Sequence, residues 1–460
     1  MKYLFYFILL IIIGCNQPKT EAEFRLTDPK NGILFENQPP IVFSKANLEA
    51  ADIVIDGSVT YQEMDGFGFT LSQGSAIHLL GMNPNSRAEI LNELFGNEEN
   101  SINVSYLRLS VAASDLNEYA FSYHDVEDAE KDTLLLNFDL GPDRNDVIPV
   151  LKEIMTINPA IKLMASPWSP PSWMKDNKDT RGGKLLPEFY DRYALYLVKY
   201  IQQMAEEGFT IDALTIQNEP LHPGNNPSLL MLADEQRDFI KFHLGPKFEA
   251  NGIKTKIIIY DHNADRPDYP ISILDDPETK KFIDGSAFHL YGGNIEALSE
   301  VHKAHPDKNL YFTEQWVGAP GNLPGDLAWH TKNLTIGAPR NWAKTVLEWN
   351  LSSAPDLKPH TDRGGCDQCL GAVTIKTDSV FRNPAYYVIA HVSKYVLPGS
   401  IRIDSNEPDG LPNVAFKRPD GKIVLLLLNE SKDVRTFSIK NNEWSGTMTL
   451  EVGAVATLLL

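Results

Sequence analysis

Short apolar runs return along the chain from residue 66 to residue 352, and most of them close on a polar or aromatic residue. GFGFTLS (66–72), SYLRLSV (105–111), IKLMASPW (161–168), the stretch 212–219, KIIIYDHN (256–263), GSAFHLY (285–291) and NLYFTEQW (309–316) read as strands. AKTVLEWNLS (343–352) reads as a segment that begins as helix and ends as strand. Longer stretches with helical spacing lie between them. They are RAEILNELFG (87–96), DVIPVLKEIMTIN (146–158), PEFYDRYALYLVKYIQQMAEEG (187–208) and DEQRDFIKFHLGPKFEANG (234–252). Eight strands separated mostly by helices predict an α/β chain whose parallel sheet closes into a (β/α)8 TIM barrel. A doubly wound open sheet would want a glycine-rich turn that opens a helix after the first strand, and no clear helix opens after GFGFTL. The strand ends favour the barrel too. Ser110, Trp168, Glu219, Asn263, Tyr291, Glu314 and Asn350 would share one rim, where such barrels carry their chemistry.

Both ends of the chain have another rhythm. After a helix over 383–399, stopped by Pro398-Gly399, the tail is short strands with turns at Pro419-Asp420-Gly421 and Asn441-Asn442. Residues 24–60 carry similar β-like runs. The expected division is a barrel over 61–398 and one all-β sandwich built from 24–60 plus 399–460.

The first fifteen residues are different material. Lys2 precedes an apolar run from Tyr3 to Ile13 that is short for a membrane span and suits a signal-peptide core. Its ending, Ile12-Ile13-Gly14-Cys15, resembles the bacterial lipobox. The resemblance implies that Cys15 is lipidated, with 1–15 as signal segment and 16–23 as a polar tether. The expected location is a bacterial cell envelope, facing the periplasm or the cell surface. A formal net charge of −19 and the lack of any basic run argue against a nucleic-acid partner. Outside the cytoplasm, Cys366 and Cys369 in RGGCDQCLGA suit a disulfide better than a thiol couple. Two cysteines without a second pair make a poor zinc site. So small a loop would gain little through chain entropy, which leaves local stiffening as the effect of the bridge.

Two carboxylates stand out on the predicted rim. Glu219 ends IDALTIQNEP before Pro220, which cannot extend a sheet ladder, and Glu314 ends LYFTEQW. Two carboxylates facing one another across a barrel mouth are the machinery of glycoside hydrolysis, one protonating the leaving oxygen while the other attacks the anomeric carbon. Trp168, Trp316 and Trp349 offer flat faces for sugar stacking or for packing. Arg108 would charge-stabilise a carboxylate, or form a structural ion pair. Asp115 can take sugar hydroxyls, and Asn218 suits the hydroxyl beside the reacting carbon. His289 and Tyr291 alternate on one strand and so share a face. No metal or other cofactor is expected, because the sequence clusters no further ligands around His289.

DGFGFTLS, YLRLSVAASDL, ASPWSPPSWMKDN, LTIQNEP, EQRDFIKFHLGP, FHLY, TEQW and EWNL, in that order, resemble glycoside hydrolase family 30, the glucosylceramidase family, from about Asp65 to the C-terminus. The resemblance implies a barrel with a sandwich from both chain ends, and a retaining mechanism. It further implies Glu219 as acid/base and Glu314 as nucleophile. Asp115, Trp168, Asn218 and Trp349 would bind the sugar in subsite −1, and Tyr291 would hydrogen-bond Glu314. The expected substrate is a β-glucoside, with β-1,6-glucan ahead of a glucosyl-lipid and endo or exo action left open. TIQNEPLHP and IYDHN depart from the lysosomal ceramide-cleaving branch. The chain is expected to act as a monomer. A non-catalytic carbohydrate-binding lipoprotein is the alternative of another class, but such a binder would be expected to have lost one carboxylate.

Overall fold

The computed structural model describes residues 19–45 and 51–460. Cys15 and the signal segment lie outside the described residues. Eight parallel strands close into a barrel. They are β1 (Gly66–Leu71), β2 (Tyr106–Val111), β3 (Lys162–Pro167), β4 (Ala213–Thr215), β5 (Lys256–Ala264), β6 (Ile283–Gly293), β7 (Asn309–Glu314) and β8 (Ala343–Asn350). They pair in chain order, and β8 closes on β1. Among the described residues no helix is long and apolar enough to cross a membrane.

The barrel interior is built in layers, because inward side chains recur every second residue along a strand. Tyr106, Met164, Ala213, Ile258, Ala287, Tyr311 and Leu347 form one buried apolar layer. Two residues further along, several of the same strands present Arg108, Ser166, Thr215, His289 and Thr313, all fully buried. The apolar layer seals the barrel beneath, and the polar layer above it carries the site.

Nine further strands close a second ring, the β-sandwich. The first strand, Lys19–Asp28, pairs with the last, Val455–Leu459. The ring is thinnest between Ile33–Ser44 and Trp444–Leu450, whose one ladder pair among the described residues is Ser44 with Ser445. Helix Pro384–Ser393 is buried along its whole length. Its His391 hydrogen-bonds Thr27 and Thr457, each at 2.8 Å, and so ties both chain ends to the barrel.

Several boundaries move. Residues 19–23 belong to the first sandwich strand and not to a tether, since residues 20–22 pair with Ile33–Ser44. The strand Ile53–Glu63 carries the sandwich past residue 60. β8 is strand throughout, because its early residues already pair with β7 and β1. A helix, Gln73–Leu80, does open after β1, with the Ser72 side chain accepting from the Ser75 N–H; its glycine and short length hid it. β4 is shorter than its apolar run. Beyond Thr215 the backbone leaves the regular ladder and holds on through Asn218 N–H to Pro167 O (2.8 Å) and Glu219 N–H to Asp261 O (2.9 Å).

Candidate active site

Arg108 is the hub of the polar layer. Its guanidinium donates to Glu314 Oε2 (2.5 Å), Asn218 Oδ1 (2.7 Å), Asp261 Oδ2 (2.8 Å) and Ser166 Oγ (3.1 Å). It also lies 4.8 Å from the centre of the Trp168 ring. A buried guanidinium needs such a set of acceptors, because each unpaired N–H would be costly. Asp261 accepts in turn from Thr313 (2.6 Å) and Thr215 (2.7 Å), and sits 3.2 Å from His289 Nε2. Burial pushes the Asp261 carboxyl up, but Arg108 and His289 outweigh it and hold the group far below the usual carboxylate range.

His289 bridges the two catalytic candidates. Its Nδ1 is 3.4 Å from Glu219 Oε1 and 3.8 Å from Glu314 Oε1. Burial alone would lower the imidazole; the charge of Glu314 and the bonds to Asp261 and Glu219 raise it to about 9, so it is a cation at neutral pH. Glu219, His289 and Glu314 bring one oxygen or nitrogen each within 4.8 Å of one another. Such a cluster has the residue types of a metal site, contrary to the sequence reading that His289 lacks clustered ligands. Two cations already occupy its electrostatic role, Arg108 against Glu314 and the His289 imidazolium between the carboxylates.

Glu219 turns into the mouth with a φ of +47°, a left-handed conformation uncommon for a residue with a side chain. Its Oε2 accepts from Asn225 Nδ2 at 3.2 Å. Burial raises the Glu219 carboxyl, but the hydrogen bond and charge of His289 leave it below its ordinary value. Glu314 is raised by burial, with His289 and Arg108 opposing. Its second oxygen accepts from Tyr291 Oη at 3.0 Å. Asp115 is pushed up to about 8 by burial and by the charges of Glu314 and Glu219, and its Oδ1 has no partner among the described residues. It stands as a neutral carboxyl aimed at whatever enters.

The open pocket has a volume of about 380 Å³. Asp115, Glu219, Tyr291, Glu314, Trp316 and Trp349 line it. Arg108, Trp168, Asn218 and His289 do not. They are buried directly behind that lining, and Arg108 pairs with the Glu314 carboxylate in the stabilising place expected of it. Trp168 in particular is closed off between Arg108 and Trp349, with the two indole centres 5.4 Å apart. The sequence reading missed Asp261, His222, Asn225 and His262. Strict alternation on β5 would turn Tyr260 inward. Positive φ values at Tyr260 (+72°) and Asp261 (+68°), where the register with β6 shifts, send Asp261 inward instead. Neither residue is a glycine, so no sequence signal marked the bulge. The expected Cys366–Cys369 disulfide is present, and both of its cysteines line the same pocket.

Residues 64–396 match the glycosyl hydrolase family 30 TIM-barrel domain, and residues 399–458 match the family's β-sandwich domain. The chain belongs to glycosyl hydrolase family 30. It is a glycoside hydrolase. An endo-1,6-β-D-glucanase of Neurospora crassa is 32% identical over 406 residues, covering 84% of this chain and 83% of the relative. The lysosomal acid glucosylceramidase of Mus musculus is 28% identical over 421 residues, covering 85% and 80%. The solved endo-β1,6-glucanase BT3312 superposes with a TM-score of 0.88 at 33% identity, covering 96% of this chain and 99% of that one.

Proposed function

We propose that this family 30 enzyme hydrolyses β-1,6-linked glucan with retention of configuration, Glu314 acting as nucleophile and Glu219 as acid/base. The observation that carries the mechanism is the approach of the two carboxylates, one oxygen of each within 4.8 Å. Retaining glycosidases hold their carboxyls about 5–5.5 Å apart, whereas inverting ones leave room for a water at about 6.5–9.5 Å.

Glu314 attacks the anomeric carbon while Glu219 protonates the departing oxygen. Glu219 then takes a proton from the water that releases the sugar. Burial favours a proton on Glu314, while His289 holds Glu219 below its ordinary value, the reverse of what the first step needs. The donors favour the working arrangement, because each Glu314 oxygen accepts a hydrogen bond, from Arg108 and from Tyr291. A proton on Glu314 would weaken one of these. Glu219 meets only longer contacts, one at each oxygen, at 3.2 and 3.4 Å, and so gives up less by carrying the proton.

The glucanase relatives support β-1,6-glucan, and so does the polar side of the pocket. His222, Asn225, His262 and Asn263 line it and suit a polyhydroxylated leaving group. Glucosylceramide is the second reading, on the strength of the glucosylceramidase relatives. Product analysis on β-1,6-glucan, other β-glucans, aryl glucosides and glucosylceramide decides between them, with early NMR spectra recording the anomer released. Release of the α-anomer first would overturn retention, and turnover of glucosylceramide alone would overturn the glucan reading. We also propose lipidation at Cys15 and an envelope location for a monomer, on the lipobox-like Ile12-Ile13-Gly14-Cys15. Fatty-acid labelling that marks wild type and Cys15→Ala equally would overturn the anchor.

A further inference from the structure

One wall of the pocket comes from an element that the double displacement does not use. The loop after β8 crosses the barrel mouth and is fastened on both sides of the pocket. On one side Thr361 N–H donates to Asp115 O (3.0 Å), Asn226 Nδ2 donates to the Asp362 carbonyl and carboxylate (3.0 Å each), and Arg363 pairs with both oxygens of Asp179 (2.9 and 3.0 Å). On the other side Gly318 and Val317 pair with Cys369 and Leu370. The stretch between these fastenings, Gly364-Gly365-Cys366, faces the cavity.

The stretch is pressed against the Glu219 loop. A Cβ on Gly364, whose φ is +138°, would sit 2.5 Å from Gly224 O, and one on Gly365 would sit 2.3 Å from Thr361 O. Only glycines allow so close an approach. The neighbouring Asn225 holds Glu219 Oε2. Since Glu219 serves the departing oxygen, the space between its loop and residues 364–366 receives the leaving group. The disulfide then joins this side to the glycone side. Cys369 is buried with Trp168, Trp349 and Leu116, and Cys366 packs on the same cluster together with Trp316.

We propose that the Cys366–Cys369 disulfide forms the wall of the leaving-sugar subsite, so that opening it loosens the hold on a glycosyl leaving group more than on a small aryl one. This rests on the reading of Glu219 as acid/base and of a glucan as substrate. Opening the bridge takes two electrons and two protons. A dithiol reductant supplies both, becoming a cyclic disulfide while Cys366 and Cys369 become thiols. The outer fastenings survive, since none of them uses a sulfur atom, and residues 364–367 gain freedom between fixed ends.

The test compares the full-chain enzyme in three forms: oxidised, reduced with dithiothreitol and alkylated, and Cys366→Ser/Cys369→Ser. Each is assayed on linear β-1,6-linked glucose oligomers and on 4-nitrophenyl β-glucoside. The ratio of kcat/KM for the oligomer to that for the aryl glucoside should fall by about tenfold in both opened forms, mainly through KM. Reoxidation of reduced, unalkylated enzyme should restore it. A ratio unchanged in either opened form, with thermal unfolding showing a folded protein, overturns the proposal, as does an equal fall on both substrates. The reoxidation arm uses wild-type chain throughout, so a folding defect in the double variant does not decide the outcome. An oxidised enzyme that leaves β-1,6 bonds intact overturns the glucan reading separately, and the ratio is then taken on the β-linked disaccharide it does cleave.

Discussion

The two ends of the barrel solve the same problem in opposite ways. At the base, just before β1, the buried Asp65 carboxylate faces three lysines from the starts of β3, β5 and β8, with Lys162 at 2.8 Å and Lys344 and Lys256 at 3.7 and 3.8 Å. Asp284 nearby accepts from Tyr311 Oη and Asn309 Nδ2. Each base carboxylate meets a donor, and the lysine stems reach water. At the mouth the balance is reversed. Arg108 and His289 face Asp261, Glu219, Glu314 and Asp115, all buried, and Asp115 Oδ1 and His262 Nδ1 have no partner among the described residues. Four acids against two cations cannot all be ionised cheaply, so the mouth must keep carboxyls neutral and donors waiting. The base is arranged for stability and the mouth for a visitor.

Removing Glu314 should separate the two ends most sharply. Glu314→Gln is expected to lose roughly 10⁴-fold or more in kcat on every glycoside. It should unfold at the same or a higher temperature, since a crowded buried acid has gone. A variant that retains a hundredth of wild-type turnover would remove Glu314 from the nucleophile role. For Glu219→Ala, added azide should restore turnover of an activated aryl glucoside and give the β-glycosyl azide, and an α-azide would mean the two glutamates exchange roles. Arg108→Met should damage both properties. Activity falls with the alignment of Glu314, and stability drops by about 3–5 kcal/mol because Asp261 is left buried without its cation. Chemical denaturation of the variant and of Arg108→Met/Asp261→Asn measures how much the second change recovers. No recovery would mean that the loss lies in packing against Trp168.

Asp65→Asn is the counterpart at the base. It should cost about 1–3 kcal/mol of stability through its lysines and leave kcat within about twofold of wild type. A tenfold fall in kcat would show that the two ends are coupled through the apolar layer. The smallest effect concerns pH. His289 is raised to about 9 against an ordinary 6.5, so the stability it contributes is complete below about pH 6.5 and is lost as pH rises through 9. Replacing it by Asn should therefore flatten the stability curve between those values. An unchanged slope would mean that His289 is neutral in the folded protein.

Much of this contrast could be read from the chain before folding. The parallel barrel follows from apolar runs with polar ends, and Glu219 and Glu314 stand out because each interrupts such a run. Glu314 illustrates the limit as well. Alternation turns Thr313 inward, and a register shift between Phe312 and Glu314 brings the glutamate to the mouth too. The corresponding bulge at Tyr260-Asp261 concealed Asp261, the acid that holds Arg108 and His289 in place. Trp168 shows the converse. Its position at a strand end was legible, but whether the indole would face sugar or guanidinium depended on the neighbouring Trp349. The disulfide was readable as a bond, whereas its place in the pocket wall depends on Gly364 lying against Gly224, a contact between segments far apart in sequence.

The pairing of Lys19–Asp28 with Val455–Leu459 sets a timetable for synthesis. Among the described strands, the first made has the last made as one of its two neighbours. At about 5–20 residues per second, that partner follows roughly 20–90 s later. Through that interval the inner face of the first strand, with Ala22 and Phe24 of the sandwich core, has no complete sheet to cover it. The barrel can begin to close during translation, but the sandwich cannot. The nascent chain thus carries an uncovered strand edge until residues 455–459 emerge, and holding that edge apart from other chains falls to whatever accompanies the protein as it is made.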